Sequence, residues 1–304
     1  HSPLKSLNFA ALRVKDAVAD RFRAKGGVRP DVDTQRPDVR VHLHLTHDEA
    51  TIYIDTSGEP LFKRGWREDK GDAPLKETLA AAMIAATGWD ASLPLYDPCC
   101  GSGTVLIEAA QIACRIPPGL QRRFAFEKLL PYQAHVWAAI KEEAASARQE
   151  STAAIFGSDV SHRMVDFAQR NAERAGVARA VQLRGGDALQ RMPPCEPPGV
   201  MLLNPPYGER IAAAGSAGRD ARERMGQVER AGREVAQTED GGEFFSQLAT
   251  HWKKHYAGWQ AWMLTPDLKL PGKMRLKESR RVPLWNGPIE CRLFRFDMVK
   301  GSAK

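Results

Sequence analysis

Two short stretches hold the residues whose types and spacing could do chemistry. The first, "DPCCGSGT" at residues 97–104, sets Asp97 and the pair Cys99 and Cys100 into a turn built on Gly101 and Gly103. The second, "NPPYGER" at 204–210, brings together an amide, two prolines and a tyrosine. In the first stretch either the cysteines or the glycines matter. A cysteine thiolate would be a nucleophile able to add to a ring carbon. Glycines would instead let the backbone approach a ligand closely and adopt positive φ. A helix starting near Thr104 would then aim the positive end of its dipole at that ligand. Nucleotide-binding folds of several kinds share such a turn, so by itself it leaves the ligand open.

The elements that must hold these residues follow from the hydrophobic pattern. "LPLYDPCCGSGTVLIEAAQIAC" reads as strand, glycine loop, helix, and the rhythm resumes at "AAIFGSDVSHRMVDFAQRNAERAG", "VQLRGGDAL" and "VMLLNPPYG". Strands alternating with helices predict a parallel sheet with crossovers. Asp97, Asp159 and Asp187 fall at three successive strand ends, where each would also serve as a cap or turn residue. An insertion over 117–150, with a helix around "YQAHVWAAIKEEAASARQ", lengthens the path from Asp97 to Asp159. "GWQAWMLTP" and "IECRLFRFDMV" supply the last strands, and residues 209–242, poor in large apolar residues, read as a mobile insertion. Upstream, "FAALRVKDAVADRFRAK" predicts an amphipathic helix over 9–25, and "LKETLAAAMIAATGW" a second helix ending near Gly88. "VRVHLHL" and "ATIYIDT" alternate as paired strands do, but two strands make an incomplete sheet. His42 and His44 share a strand face with no third ligand, which reads as a solvent face and not a metal site.

The chain has 304 residues, enough for a large core and a smaller unit, and opens on His1, inside a longer product or after a tag. No apolar run approaches the roughly 20 residues that span a bilayer, and no signal peptide is visible. Five cysteines, an odd number without CxxC spacing, point to a reduced, cytoplasmic setting. The net charge is +7, and cations gather in two places: Arg13, Lys15, Arg21, Arg23, Lys25 and Arg29, and again after residue 250. Two basic clusters flanking a core predict a polyanionic partner, nucleic acid.

The fuller string D-P-x-C-G-S-G-T resembles the first motif of S-adenosylmethionine-dependent methyltransferases. The resemblance implies that Asp97, Pro98, Cys99, Gly101, Gly103 and Thr104 cradle the methionine part of that cofactor. It implies that Asp159 takes the ribose hydroxyls, two acceptor oxygens matching two vicinal donors, and that Asp187 accepts from the adenine amine. "NPPYGER" resembles the [NDS]-P-P-[YF] motif of methyltransferases that modify an amine conjugated to a ring. Such an amine is flat and delocalised, so its lone pair is a poor nucleophile. The Asn204 side-chain oxygen and the Pro205 carbonyl can accept its two N–H protons and aim the lone pair at the methyl group. Tyr207 then stacks on a base splayed from its strand. Amine methylation needs no nucleophilic cysteine. Cys99 and Cys100 are therefore expected to be small loop residues, with thiols made sensitive to alkylation by the helix N-terminus.

"LRVKDAVADRFR", "RPDVDTQRPDVRVHLHL", "IYIDTSGEPLFKRGWR", "APLKETLAAAMIAATGW" and the two motifs above occur in that order. Together they resemble the RlmL family, bacterial 23S rRNA guanine-N2 methyltransferases that carry an RNA-binding THUMP domain. The fold implied is α/β: a Rossmann-like seven-stranded methyltransferase domain over 59–304, preceded by a partial THUMP-type domain over 1–58. The resemblance sets the "PLKETLA" helix, with Lys76, near the methionyl end of the cofactor. Arg13, Lys15 and Arg21 are the expected RNA contacts. The reaction implied is methyl transfer to the N2 amine of a guanosine in 23S rRNA or a large-subunit precursor. Enzymes acting on tRNA guanosine or on DNA adenine or cytosine share the NPPY motif. A non-catalytic RNA-binding assembly factor would not need Asp97, Gly101, Gly103 and Asn204 intact.

Overall fold

The computed structural model describes residues 4–71, 74–205 and 241–299. The chain divides into two compact units, residues 1–61 with 122–140 and residues 62–121 with 141–304.

In the first unit, helix α1 (Leu7–Ala24) starts at Ser6, whose hydroxyl accepts from the Phe9 N–H at 3.2 Å. The apolar stripe expected on it forms but stays open: Leu12, Val18 and Phe22 are exposed, and Ala19 is the one buried residue of the helix. Strands β1 (Arg40–Leu45) and β2 (Ala50–Asp55) pair antiparallel, Arg40 opposite Asp55 and Leu45 opposite Ala50. A ladder of two strands offers too little surface to cover a helix. Segment 122–140 belongs with this unit through its own interactions. The Arg122 guanidinium lies over the Phe124 ring and donates to the carbonyls of Ser57, Glu59 and Pro60. Phe124, Phe126, Tyr132 and Trp137 stack into one aromatic cluster.

The second unit is a seven-stranded sheet made of β3 (Leu95–Asp97), β4 (Ile155–Asp159), β5 (Val181–Gly185), β6 (Gly199–Leu203), β7 (Trp259–Thr265), β8 (Arg280–Asn286) and β9 (Ile289–Asp297). The order is β5-β4-β3-β6-β7-β9-β8. Strands β3 to β7 are parallel, and β9 is antiparallel to both β7 and β8. Alternate residues feed two core layers. Leu95, Val200 and Leu202 pack with residues of α2 (Glu77–Thr87), α3 (Thr104–Ala113) and α5 (His162–Arg174). Tyr96, Met201 and Leu203 pack with Phe244, Leu248 and Trp252, and with Leu270 and Met274. Those partners lie on the helices Gly241–His255 and Leu270–Met274. Numbered in chain order after α4 (Ala134–Ser146), these two helices are α6 and α7. Burial on both faces is why β6 is apolar throughout rather than alternating.

"GWQAWMLTP" and "IECRLFRFDMV" form β7 and β9, as their pattern predicts. Strand β8 carries no such signal, because Arg280 and Arg281 open it and Pro283 interrupts it. Proline is tolerated there because β8 is the outer strand of the sheet. Most of the predicted insertion 209–242 lies outside the described residues. Among the described residues no helix is long and apolar enough to cross a membrane, and no three His, Cys, Asp or Glu residues are grouped to hold a metal.

Candidate active site

Parallel strands put their carboxyl ends on one edge, and the strand order decides which residues meet there. Asp97 ends β3 and Asp159 ends β4, while Asp187 follows β5. Asn204 follows β6, the other neighbour of β3. Along the edge the order is therefore Asp187, Asp159, Asp97, Asn204. Between β3 and β6 the winding of the sheet reverses, which opens a crevice at the carboxyl ends.

The glycine loop closes over this edge. The Gly101 N–H donates to Asp159 Oδ2 at 2.9 Å, and the Cys100 N–H to the Ser158 carbonyl at 2.9 Å, so the loop is fastened to β4. Gly101 has φ +52°, and a Cβ there would meet nothing within 4 Å, so its outer side is open space. Gly103 has φ +86°, and a Cβ there would come within 3.0 Å of the Ala168 Cβ on α5. Glycine at 103 thus serves both the left-handed turn and the close approach of α5 to the start of α3. Each acid also shapes its own turn. Asp97 accepts from the Cys99 N–H at 3.0 Å, Asp159 from Ser161 at 2.9 Å, and Asp187 from Leu189 at 2.9 Å. A carboxylate so engaged keeps lone pairs for further donors. Pro98 offers its carbonyl to the Ser158 hydroxyl at 3.5 Å, and Pro205 is buried behind a half-buried Asn204.

Burial dominates the electrostatics. Asp97 is 2% exposed, and desolvation pushes its pKa up to about 8, with the nearby Asp159 adding to the shift. Burial raises Asp159 as well, against the pull of the Ser161 and Gly101 amides. The expectation that the loop thiols are activated is overturned. Burial, followed by the Asp97 and Asp159 carboxylates, raises Cys99 and Cys100 well above the ordinary thiol range. Acids close to the sulfurs and the loss of water outweigh the helix dipole.

Lys76 immediately precedes α2, is exposed, and holds its ammonium 5.2 Å from the centre of the Phe62 ring. In the other unit, Lys15 pairs with Asp16 at 2.8 Å, and Arg13 and Arg21 are exposed. At 100° per residue Lys15 turns away from the side shared by Arg13 and Arg21, so the three cations do not form one stripe. Tyr207 lies outside the described residues.

The pattern of the sequence did not single out Arg67, yet it braces the loop from behind. Its guanidinium bonds Glu77 Oε1 at 2.7 Å, Thr104 Oγ1 at 2.8 Å, the Leu75 carbonyl at 3.0 Å and Ser102 Oγ at 3.2 Å. Asn171 on α5 adds a bond from its side-chain amide to the Ser102 carbonyl at 3.1 Å. Neither residue announces this role, because their partners lie far along the chain. The one available signal was the cation-rich "FKRGWRED" just ahead of α2.

A parallel sheet that reverses beside β3, ends in an antiparallel hairpin and lines up acids at its carboxyl edge defines the class, a Rossmann-like methyltransferase fold. Residues 64–228 match the model of the RMKL-like methyltransferase domain, and residues 1–55 match that of the THUMP domain. The chain belongs to the RMKL-like methyltransferase family. It is 38% identical over 294 residues to the ribosomal RNA large subunit methyltransferase K/L of Shewanella loihica, covering 95% of this chain and 38% of that relative. Thus it spans well under half the length of such curated relatives. A solved structure described as a possible methylase from Clostridium difficile 630 is 30% identical with TM-score 0.76, covering 96% of this chain and 70% of that one. The SAH complex of SMU.472 is 28% identical with TM-score 0.74 at the same coverage.

Arg67→Met should destabilise the second unit by roughly 3–5 kcal/mol, because it strands the Glu77 carboxylate in the interior. Arg67→Lys, with fewer donors in a different geometry, should fall between. Urea denaturation measures both, and a wild-type midpoint for the Met variant would remove Arg67 as the brace. Asp97 sets a pH dependence. Its folded pKa lies above its ordinary value of 3.8, so its contribution to stability is full at low pH and is lost as pH rises toward about 8. Asp97→Asn should flatten the decline in ligand-free stability between about pH 5 and about pH 8, though not abolish it, because Asp159 and Glu108 shift in the same direction. An unchanged slope in the variant would contradict the raised pKa.

Proposed function

We propose that this chain transfers a methyl group from S-adenosylmethionine to the N2 amine of a guanosine in 23S rRNA. The observation that carries the reading is the line Asp187, Asp159, Asp97, Asn204 along one sheet edge at the point where the winding reverses. The K/L relatives are named for the large ribosomal RNA, and the THUMP match favours RNA over DNA as substrate.

The residues fit the cofactor. Gly101 leaves open space on the side a ligand would occupy, and Asp97 sits buried with its carboxyl raised by desolvation, no cation among the described residues offsetting it. When bound, S-adenosylmethionine supplies an electrophilic methyl group on a sulfonium. Asp97, Pro98, Cys99, Gly101, Gly103 and Thr104 then cradle its methionine part, with Lys76 nearby. Asp159 accepts from the ribose and Asp187 from the adenine amine. The Asn204 oxygen and the Pro205 carbonyl accept the two protons of the guanine amine, which turns its lone pair toward the methyl. Tyr207 holds the base by stacking. The work is positioning and charge stabilisation without a covalent adduct, in keeping with the raised thiols of Cys99 and Cys100.

The direct test is transfer of labelled methyl to deproteinised large-subunit rRNA, followed by nucleoside analysis. N2-methylguanosine is the expected product. A methylated adenine or cytosine, or cofactor binding with no turnover on any RNA, would replace the reading.

Asn204→Ala should lower kcat by about 100- to 1,000-fold with cofactor affinity retained, since the lost acceptor matters most as the amine reacts. Cys99→Ser and Cys100→Ser should stay within a few-fold of wild type. A dead Cys→Ser variant beside an active Asn204→Ala would point to a thiolate nucleophile and carbon methylation. Reversing Arg13, Lys15 and Arg21 together should weaken rRNA binding and flatten its salt dependence, with Arg13 and Arg21 contributing most, at constant cofactor affinity. Filter binding at several salt concentrations reads this, and unchanged affinity at low salt would make α1 an ordinary solvated helix.

A further inference from the structure

Among the described residues, strand β8 has one exposed face. Val282 and Leu284 pack into the core layer of α2 and α3. By alternation Arg281, Pro283 and Trp285 point to the opposite face, and all three are exposed, Trp285 at 58%. The segment between β7 and β8 anchors Leu270, Met274 and Leu276 in the core layer on the same side of the sheet, the layer that holds Phe294 opposite Arg281, and exposes Lys269, Arg275 and Lys277. Two nearby acids are already engaged, Asp267 by Lys273 at 2.7 Å and Glu290 by Arg292 at 2.7 Å. Among the described residues from 267 to 290, Glu278 is the acid outside those pairs, against Lys269, Arg275, Lys277 and Arg281.

The register brings this surface to the reactive edge. Strand β8 is antiparallel to β9, which is antiparallel to β7, so the carboxyl end of β8 shares the edge that carries Asp97 and Asn204. Leu203 pairs with Met263, Met263 with Phe294, and Phe294 with Arg281. Asn204 therefore stands about three strand spacings, roughly 14 Å, from β8, and Trp285 projects about 10 Å further along the strand direction. A few nucleotides bridge that separation.

We propose that this face binds the substrate RNA, with Trp285 as a stacking platform for an unpaired base and Arg281, Lys277, Arg275 and Lys269 holding phosphates beside it. The proposal rests on RNA being the substrate and names the surface that grips the strand whose guanosine reaches Asn204. An exposed indole among cations suits a base and its backbone, since every base offers a π-face and every nucleotide a charge. Protein-binding surfaces are built differently, with a contiguous apolar centre from which charge is depleted. Here Leu268 lies in the turn before α7, and Ile289, paired with Asn286, belongs by alternation to the other face of the hairpin, so among the described residues neither extends the apolar surface of Trp285 along its strand face.

The test uses the full chain and deproteinised large-subunit rRNA in filter-binding titrations. Trp285→Ala should weaken binding roughly tenfold, and Trp285→Phe should restore most of it. Arg281→Glu with Lys277→Glu should lower the slope of log affinity against log salt by about one unit for each phosphate that is no longer neutralised. Calorimetric affinity for S-adenosylmethionine should be unchanged in all of them. Wild-type RNA affinity in Trp285→Ala, in a chain that still methylates rRNA, would overturn this surface and leave the proposed reaction standing. A shift in oligomeric state on sedimentation with RNA affinity intact would give the face to a protein partner instead. A wild-type chain that binds cofactor but neither binds nor methylates rRNA would overturn both proposals.

Discussion

A parallel sheet buried on both faces leaves itself one place for chemistry. Its ladders consume the backbone polar groups within the sheet, and its helices cover the faces, so ligand-facing loops open only at the strand ends. Here β6 is apolar along its whole length because both sides are covered, and Asn204 is the first residue free of that demand. The same constraint acts on β3 and β4, where the chain turns polar at Asp97 and Asp159. The reactive edge is thus the residue of the packing problem, and the reversal of strand order beside β3 selects which of those ends meet.

What the sheet leaves open must still be held rigid, and here guanidinium groups do the holding. Arg67 joins the segment before α2 to the start of α3 and to Glu77. Behind it, Arg64 pairs with Glu108 at 3.0 Å. Arg170 bonds Asp69 at 2.8 Å, and Arg174 pairs with Asp69 as well. Burying the Arg64–Glu108 and Arg67–Glu77 pairs costs desolvation, offset by several bonds per guanidinium, which favours arginine over lysine at these points. The effect is local order: a loop of small residues with two left-handed glycines would otherwise sample many conformations.

Charge and packing divide the work between the two ends of the chain. The helix α1 exposes most of its apolar stripe together with Arg13 and Arg21. The far edge of the sheet exposes Trp285 and Arg281 on one face, while Val282 and Leu284 on the other are spent on the core. Both surfaces are basic, but they differ in kind, and the difference came from what each element had available to pack against.

Local sequence determined the parts of this protein that depend on near neighbours. The strand–glycine–helix unit at 95–113, the acids at three strand ends, the helix ending at Gly88 and the paired strands of the first unit were all legible, because periodicity and turn chemistry act over a few residues. Tertiary structure decided what depends on distant partners. It raised the thiols of Cys99 and Cys100, which a local helix dipole would have lowered, because the fold buries them and brings Asp159 from the end of β4 to join the neighbouring Asp97. It recruited Arg67 and Asn171, whose partners are up to about a hundred residues away. It made a strand of "RRVPLWN" despite its proline, since an outer strand has a free side, and it drew 122–140 to the first unit through Arg122 and the aromatic cluster. Spacing along the chain can state which groups are offered; only the folded sheet sets which of them share an edge, lose their water and change their pKa.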